Sequence, residues 1–393
     1  MTAAQRLHGL DFLRASMMLL GIVLHGAQMY MTMHLGFDYY KDPQLSPVMD
    51  GILIVINTFR MPVFFFISGF FSAMLYERYS LPGLLRNRYR RIVLPFIVML
   101  PPLALLLSLQ WISSSQLMAT GSIGLDTRYV SRPDLLYNNT HHLWFLYYLV
   151  YILVAWAALL WLWERVPGAL RNALTGWYAQ FAVRTSLVLV LLGVLSAWLA
   201  VDTYAGRLNG GILFQPYWPA VSFFGLCFVA GWGLWHRREA LPRLELRCWR
   251  NLLAATVFLA VGLVAFFAQG QYESETWFPW HPLLAVANGL SVAFFVAGFT
   301  GLFSRYFSGY NPWVRYLSDS AYWVYILHQS ALLFFAVPLY HWGAPAELKF
   351  LLVCIGATAL CLASYDLLVR NSWLGAFLGG RRYPRGLPRR ASS

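Results

Sequence analysis

Charge is scarce in this sequence. Acidic and basic residues together make up 11% of its 393 positions and hydrophobic residues 59%, whereas a soluble globular domain carries about 25% charged residues. That balance excludes a soluble enzyme and leaves a polytopic membrane protein. Lysine is nearly missing: Lys41 and Lys349 are the only lysines, so the net charge of +13 rests on arginine, whose planar fork grips phosphate and carboxylate through paired hydrogen bonds. The positive excess does not point to nucleic acid, because the arginines are separated by apolar runs of about 20 residues, the length a helix needs to cross a bilayer. Cysteine is sparse too. Cys227, Cys248, Cys354 and Cys361 lie in or beside apolar runs, with no CxxC spacing and no histidine at a zinc-like interval, so neither a disulfide framework nor a metal site is indicated. The two halves share no fixed-period repeat and no matching Gly/Pro-broken helices, which argues against an inverted-repeat transporter.

What is present is a series of apolar stretches near 10–31, 51–76, 91–112, 142–163, 184–201, 217–236, 250–268, 282–303, 318–340 and 347–369, which predict ten transmembrane helices. The first is longer than a signal-peptide core and lacks a small-x-small cleavage site, so it is expected to stay in the mature protein. With the N-terminus inside, 23 of the 29 lysines and arginines fall in cytoplasmic segments; Lys41, Arg128, Arg132, Arg207 and Lys349 fall outside, and Arg60 lies within a span. This loop-by-loop asymmetry is the positive-inside pattern. The expected fold is all-α: an N-in, C-in membrane helical bundle over residues 1–370. Residues 371–393, ending "GGRRYPRGLPRRASS", read as a disordered basic cytoplasmic tail near anionic lipid.

A charged side chain in a membrane span costs at least about 2.5 kcal/mol on insertion scales, so such residues face a bundle interior and mark a site or pathway. In "LDFLRASMMLLGIVLH", Arg14 and His25 are eleven residues apart, which is about 20° beyond three turns and about 16 Å along the axis. Both therefore share one helix face, with Met18 and Gly21 between them. Asp11 precedes Arg14 by three residues, close enough to hold its guanidinium. Arg14 taken alone also reads as an anchor snorkelling to the cytoplasmic surface. Arg60, in "NTFRMPVFFFISGFF", lies about ten residues from the outer surface, at a depth similar to that of His25 and too far in to snorkel easily. Ser68 and Gly69 permit a close helix approach.

Arg86, Arg88, Arg90 and Arg91 crowd the cytoplasmic mouth of the third span, where phosphate binding and positive-inside anchoring explain them equally well. His141 and His142, just before Trp144, open the fourth span at the outer interface, where solvation accounts for them as well as a role does. Deep in the ninth span, "SDSAYWVYILHQS" carries His328 with Tyr325 one turn before it. The outer segments "VDTYAGRLNGGILFQPYWP" and "QYESETWFPWH" mix aromatic and polar residues that suit either sugar binding or an interfacial belt.

"LDFLRA" with a histidine eleven residues after the arginine, "FRMPVFFFISGF", the arginine-rich turn into "RIVLPF", "HLWFL" and "YWVYILHQS" follow one another in the order of the membrane acyltransferase-3 family, which the chain resembles over about residues 8–370. The resemblance implies acyl transfer from a cytoplasmic acyl-CoA to a hydroxyl of a glycan on the far side of a bacterial inner membrane. It carries the family's helix-1 arginine and histidine onto Arg14 and His25 and its cytoplasmic basic motif onto Arg88 and Arg91. The region from "RMPVFFF" to "RIVLPF" and the "HHLWFL" turn are most similar to the branch understood to succinylate osmoregulated periplasmic glucans, implying succinyl-CoA as donor and periplasmic glucan as acceptor partner.

On that basis Arg14, with Arg86, Arg88, Arg90 or Arg91, is expected to hold the phosphates of CoA, while neutral His25 acts as general base or as an acylated nucleophile. Arg60 is expected to meet a succinyl carboxylate, with Asp11 and Ser68 also lining the substrate path. His328 and Tyr325 are expected to orient His25 or hold an oxyanion. His141, His142 and Trp144 are expected to guide the glucan. An envelope O-acetyltransferase and a glycan or acyl-donor transporter remain alternatives, and association with a second copy or with glucan-synthesis proteins stays open.

Overall fold

The computed structural model describes residues 3–34, 39–182, 185–200, 203, 205, 206, 208, 210–269, 277–379 and 382. Among them there is no strand; the chain is a helical bundle, and eight helical segments are long and apolar enough to cross a membrane. One of these, Pro47–Thr120, is 74 residues long. At 1.5 Å per residue it would measure about 110 Å, several times the hydrocarbon thickness. It is not one rod: Ser80 leaves helical geometry at φ 56° and ψ −176°, two residues ahead of Pro82, and Tyr89–Val93 is wound as a π-helix. The segment comprises α2 (Pro47–Arg88) and α3 (Leu94–Thr120), with the arginine-rich turn between the Ser80 break and α3. Thr185–Ala200, where the fifth span was expected, is apolar but only 16 residues long.

The helices that build the interior are α1 (Ala3–Gln28), α2, α4 (Trp144–Trp163), α7 (Trp218–His236), α10 (Trp277–Tyr306), α11 (Pro312–Ala336) and α12 (Ala346–Ser364); in this chain-order numbering α5 is Gly168–Ala182, α6 Thr185–Ala200, α8 Leu241–Leu246, α9 Cys248–Ala268 and α13 Trp373–Gly379. Local chemistry sets several of their ends. Ser46 caps α2 through its hydroxyl, 3.2 Å from the Val48 amide, with Pro47 in the first turn, where its missing N–H costs nothing. Asn311 caps α11 by accepting from the Trp313 and Val314 amides at 2.8 and 3.3 Å, again with proline next. That cap starts α11 six residues before the expected span, so His328 lies 16 residues, about 24 Å, along it.

α1 packs against α2, α10, α11 and α12, and α2 against α7. The α2–α7 seam depends on glycine: a Cβ on Gly69 would overlap the Phe228 carbonyl, and one on Gly231 the Phe66 carbonyl, so the two backbones meet directly. Phe65 stacks on Phe224 in the same seam, with centroids 4.6 Å apart.

Lys349, counted from sequence on the outer side of the membrane, is wholly buried in the first turn of α12. Its ammonium lies 2.9 and 3.1 Å from the two carboxylate oxygens of Asp42, and both side chains are 0% exposed. Asp42 also accepts from the Tyr40 hydroxyl at 3.0 Å and the Gln44 amide at 2.8 Å. A pair so fully hydrogen-bonded meets the condition for burying charge and pins the connection between α1 and α2 onto α12. Of the segment expected to be a disordered tail, Trp373–Gly379 is helical.

Candidate functional site

Among the described residues, two cavities stand out in the bundle. One, called inner after the side the sequence expects to be cytoplasmic, is about 290 Å³ and is lined by Asp11, Arg14, Met18, Ser68, Arg88, Arg91, Arg315, Asp319 and Tyr322 among others. The outer one, about 350 Å³, is lined by His25, Gln28, Tyr39, Arg60, His141, His142, Trp144 and Gln329 among others. The shared helix face of α1 is thus real geometry: Arg14 faces one cavity and His25 the other.

At the inner cavity Asp11 holds Arg14 at 2.7 Å and lies 3.9 Å from Arg315, which is itself bound to Asp319 at 2.9 Å. Arg88 reaches across the turn between the spans and donates from Nη2 to the Ser72 hydroxyl at 2.8 Å, while its Nε is buried without a hydrogen-bond partner. Arg91 donates to the Gly379 carbonyl at the end of α13. Four guanidiniums thus face two carboxylates in this cavity, an excess of cation suited to phosphate. Arg86 and Arg90 are exposed and line neither cavity, so this group of arginines divides in two. Ser68 lines the cavity and its carbonyl lies 3.5 Å from Arg88.

Beside the outer cavity three imidazoles converge: His25 and His142 line it, and His328 is buried against them. The ring of His25 is 5.2 Å from that of His328 and 6.4 Å from that of His142, and the latter two are 4.8 Å apart. Each ring has one nitrogen committed to an oxygen acceptor: His25 Nδ1 to Gln28 Oε1 at 2.7 Å, His328 Nδ1 to the Tyr325 carbonyl at 2.7 Å, and His142 Nε2 to the Ile326 carbonyl at 3.1 Å. An oxygen acceptor fixes the proton on that nitrogen and leaves the other as a lone pair. In His328 and His142 those lone-pair nitrogens, Nε2 and Nδ1, are buried without a hydrogen-bond partner. The Tyr325 hydroxyl donates to the His142 carbonyl at 2.5 Å, tying α11 to the turn that opens α4.

Arg60 completes the cluster. Its Nε donates to the Met17 carbonyl at 2.9 Å, and only 6% of the residue is exposed. Among the described residues no carboxylate forms an ion pair with it, although a buried guanidinium ordinarily has an anion. Gly21 makes the approach feasible: a Cβ there would stand 2.7 Å from Arg60 Nη2 and 3.0 Å from His328 Nε2. Pro62, one turn-edge away, removes a helical donor and so frees the Thr58 carbonyl, and both residues line the outer cavity.

His141 and His142 are buried at 1% and 5% exposure, which removes the solvated alternative that the sequence left open beside a substrate-guiding role. The three-residue turn His141–Leu143 folds inward, with His141 at φ 50°, a left-handed conformation that costs a non-glycine residue about 1–2 kcal/mol. Its ring stands 3.2 Å from the Tyr39 hydroxyl, which accepts from Asn139 at 2.6 Å. Trp144 lines the same cavity, as do Gly206, Leu208, Gly210 and Ile212 from the first of the two outer segments. Most of the second, from 271, lies outside the described residues.

Sequence reasoning missed Gln28, Arg315 and Tyr322. Arg315, Asp319 and Tyr322 follow one another at helical intervals on α11, the same periodic signal that linked Arg14 to His25. Among the described residues no group of three or more potential ligands forms a metal site.

The Acyltransferase domain model (Acyl_transf_3) matches residues 7–366. The chain is similar to "Glucans biosynthesis protein C" of Escherichia coli (strain SMS-3-5 / SECEC), 26% identical over 391 residues, covering 96% of this chain and 95% of that one. The protein of the same name from Escherichia coli O139:H28 (strain E24377A / ETEC) is 27% identical over 392 residues, with the same coverage. No solved structure matches the chain. A helical bundle with several membrane-length apolar helices and a family match over almost its whole length define this chain as a multi-pass membrane protein belonging to the acyltransferase-3 family.

Proposed function

We propose that the chain moves a succinyl group from succinyl-CoA, held at the inner cavity, to a glucose hydroxyl of a periplasmic glucan that enters the outer cavity. The observation that carries this reading is the division of α1, with Arg14 in a cation-rich cavity and His25 in an imidazole-lined one. Ten spans, counting α2 and α3 separately and including Thr185–Ala200, with both termini cytoplasmic, would place the arginine-rich cavity inside and the histidines toward the far face of a bacterial inner membrane. Acyl-CoA cannot cross a bilayer with its phosphates. Its pantetheine arm is long and slim enough to carry the thioester inward while the nucleotide stays at Arg14, Arg88 and Arg91.

In the chemical step His25 Nε2 removes the proton of the attacking hydroxyl. The hydroxyl oxygen bonds to the thioester carbonyl carbon, the carbon–sulfur bond breaks, and the imidazolium returns its proton to the departing thiolate. Gln28 fixes the tautomer that leaves Nε2 available. Arg60, which lacks an ion-pair carboxylate among the described residues, receives the distal carboxylate of the succinyl group. His328 and His142 hold the third wall of this pocket and orient His25, with Tyr325 bracing His142.

Purified protein supplied with succinyl-CoA and a linear glucan should yield succinyl ester detectable by mass, and His25→Ala should abolish it. Ester formation unaffected by His25→Ala would remove the base role. A labelled succinyl group trapped on His25 in single turnover would replace the base with a nucleophile.

A further inference from the structure

Phe145 is the one residue among the described cavity-lining residues that borders both cavities. It lies just past the inward-folded turn that carries His142, and its ring is packed edge-on against Phe64 at 4.6 Å and Tyr325 at 4.7 Å. It is 3% exposed. The partition between the cationic chamber and the imidazole chamber is therefore made at this point by an aromatic side chain.

We propose that Phe145 is the gate and the length filter for the acyl group. The inference rests on the reading that the donor binds in the inner cavity and reacts at His25. The phosphates and the reacting carbonyl then lie on opposite sides of this ring, so the acyl chain must pass it. A ring wedged between two others yields only by rotating within the space that Phe64 and Tyr325 leave, so it admits a short, slender acyl group and resists a longer one. Closed behind the arm, it also keeps water in the outer chamber away from the thioester before the acceptor arrives. The residue sits on the helix that starts from the His142 turn, and Tyr325 contacts the Phe145 ring while its hydroxyl holds the His142 carbonyl. Opening of the gate and placement of His142 are thereby coupled through one phenol.

The test is a donor series of acetyl-, succinyl-, hexanoyl- and octanoyl-CoA with wild type, Phe145→Leu and Phe145→Ala, scoring ester formed on glucan and free CoA released without glucan. Each variant is compared with itself, as the ratio of kcat/KM for hexanoyl-CoA to that for succinyl-CoA, so loss of folded protein cancels. One methylene misfitted in an apolar pocket is worth roughly 10-fold or more, so that ratio should rise at least about tenfold in Phe145→Leu and further in Phe145→Ala, with glucan-independent CoA release rising too. An unchanged ratio in both variants, with wild type active on succinyl-CoA, overturns the gate and leaves the proposed reaction standing. Wild type inert toward every acyl-CoA overturns both.

Discussion

Gly21→Ala places one methyl group at the meeting point of α1, Arg60 and His328. The added Cβ would stand 2.7 Å from Arg60 Nη2 and 3.0 Å from His328 Nε2, whereas ordinary contact begins at about 3.5 Å. The His328 ring is held through Nδ1 by the Tyr325 carbonyl, so the guanidinium has to give, and it must retreat by about 0.8 Å. A charge-assisted hydrogen bond lengthened by that much is lost, and such a bond is worth about 1.5–3 kcal/mol. With succinyl-CoA, kcat/KM should therefore fall by about 10- to 150-fold. Acetyl-CoA has no distal carboxylate and should lose only the share due to crowding. Gly26→Ala supplies the control for crowding, because its Cβ would meet Cys354 Sγ at 2.7 Å on the α12 side of the same helix, away from Arg60. The assay is steady-state transfer to glucan with both donors in detergent, with folded protein measured by size-exclusion profile. If Gly21→Ala lowers succinyl and acetyl transfer equally, or no more than Gly26→Ala does, Arg60 does not bind the succinyl carboxylate.

Arg60→Ala should carry the same donor discrimination further, and added guanidinium should partly restore turnover with succinyl-CoA; equal loss for the two donors would contradict this. Arg14→Ala and Arg88→Ala should raise KM for acyl-CoA, whereas Arg86→Ala and Arg90→Ala, at exposed positions that line neither cavity, should leave it within about twofold, as surface changes do. Lys349→Met strands the Asp42 carboxylate in the interior and should lower stability by about 3–5 kcal/mol, read as a fall in thermal midpoint in detergent, with Lys349→Met/Asp42→Asn recovering part of it. No recovery in the double variant would mean the two charges are not coupled.

Much of this site was legible because a helix writes its faces into spacing. Eleven residues between Arg14 and His25 were enough to join them, three were enough to join Asp11 to Arg14, and the structure keeps both relations. The stripe from Arg315 to Tyr322 carried the same signal, but Arg315 was absorbed into the charge count that sets topology, so its position on a helix face went unread. What spacing does not encode is contact between helices. Neither the approach of Arg60 to Gly21 nor the meeting of His25, His142 and His328 follows from any local period, since each pair belongs to a different helix. The partner of Lys349 stayed hidden for a related reason, since Asp42 lies 307 positions earlier. His141 and His142 were placed at a surface because they precede an aromatic run, and only the inward turn with His141 at φ 50° brings them to the cavity.

The central claim is that one chain joins a donor on one side of the membrane to an acceptor on the other. Proteoliposomes with linear glucan sealed inside and succinyl-CoA added outside test this directly, by mass analysis of the luminal glucan after external CoA is washed away. Wild type should place succinyl ester on the luminal glucan with free CoA released only outside, and His25→Ala should place none. Ester found only on glucan sharing a compartment with succinyl-CoA would contradict the account.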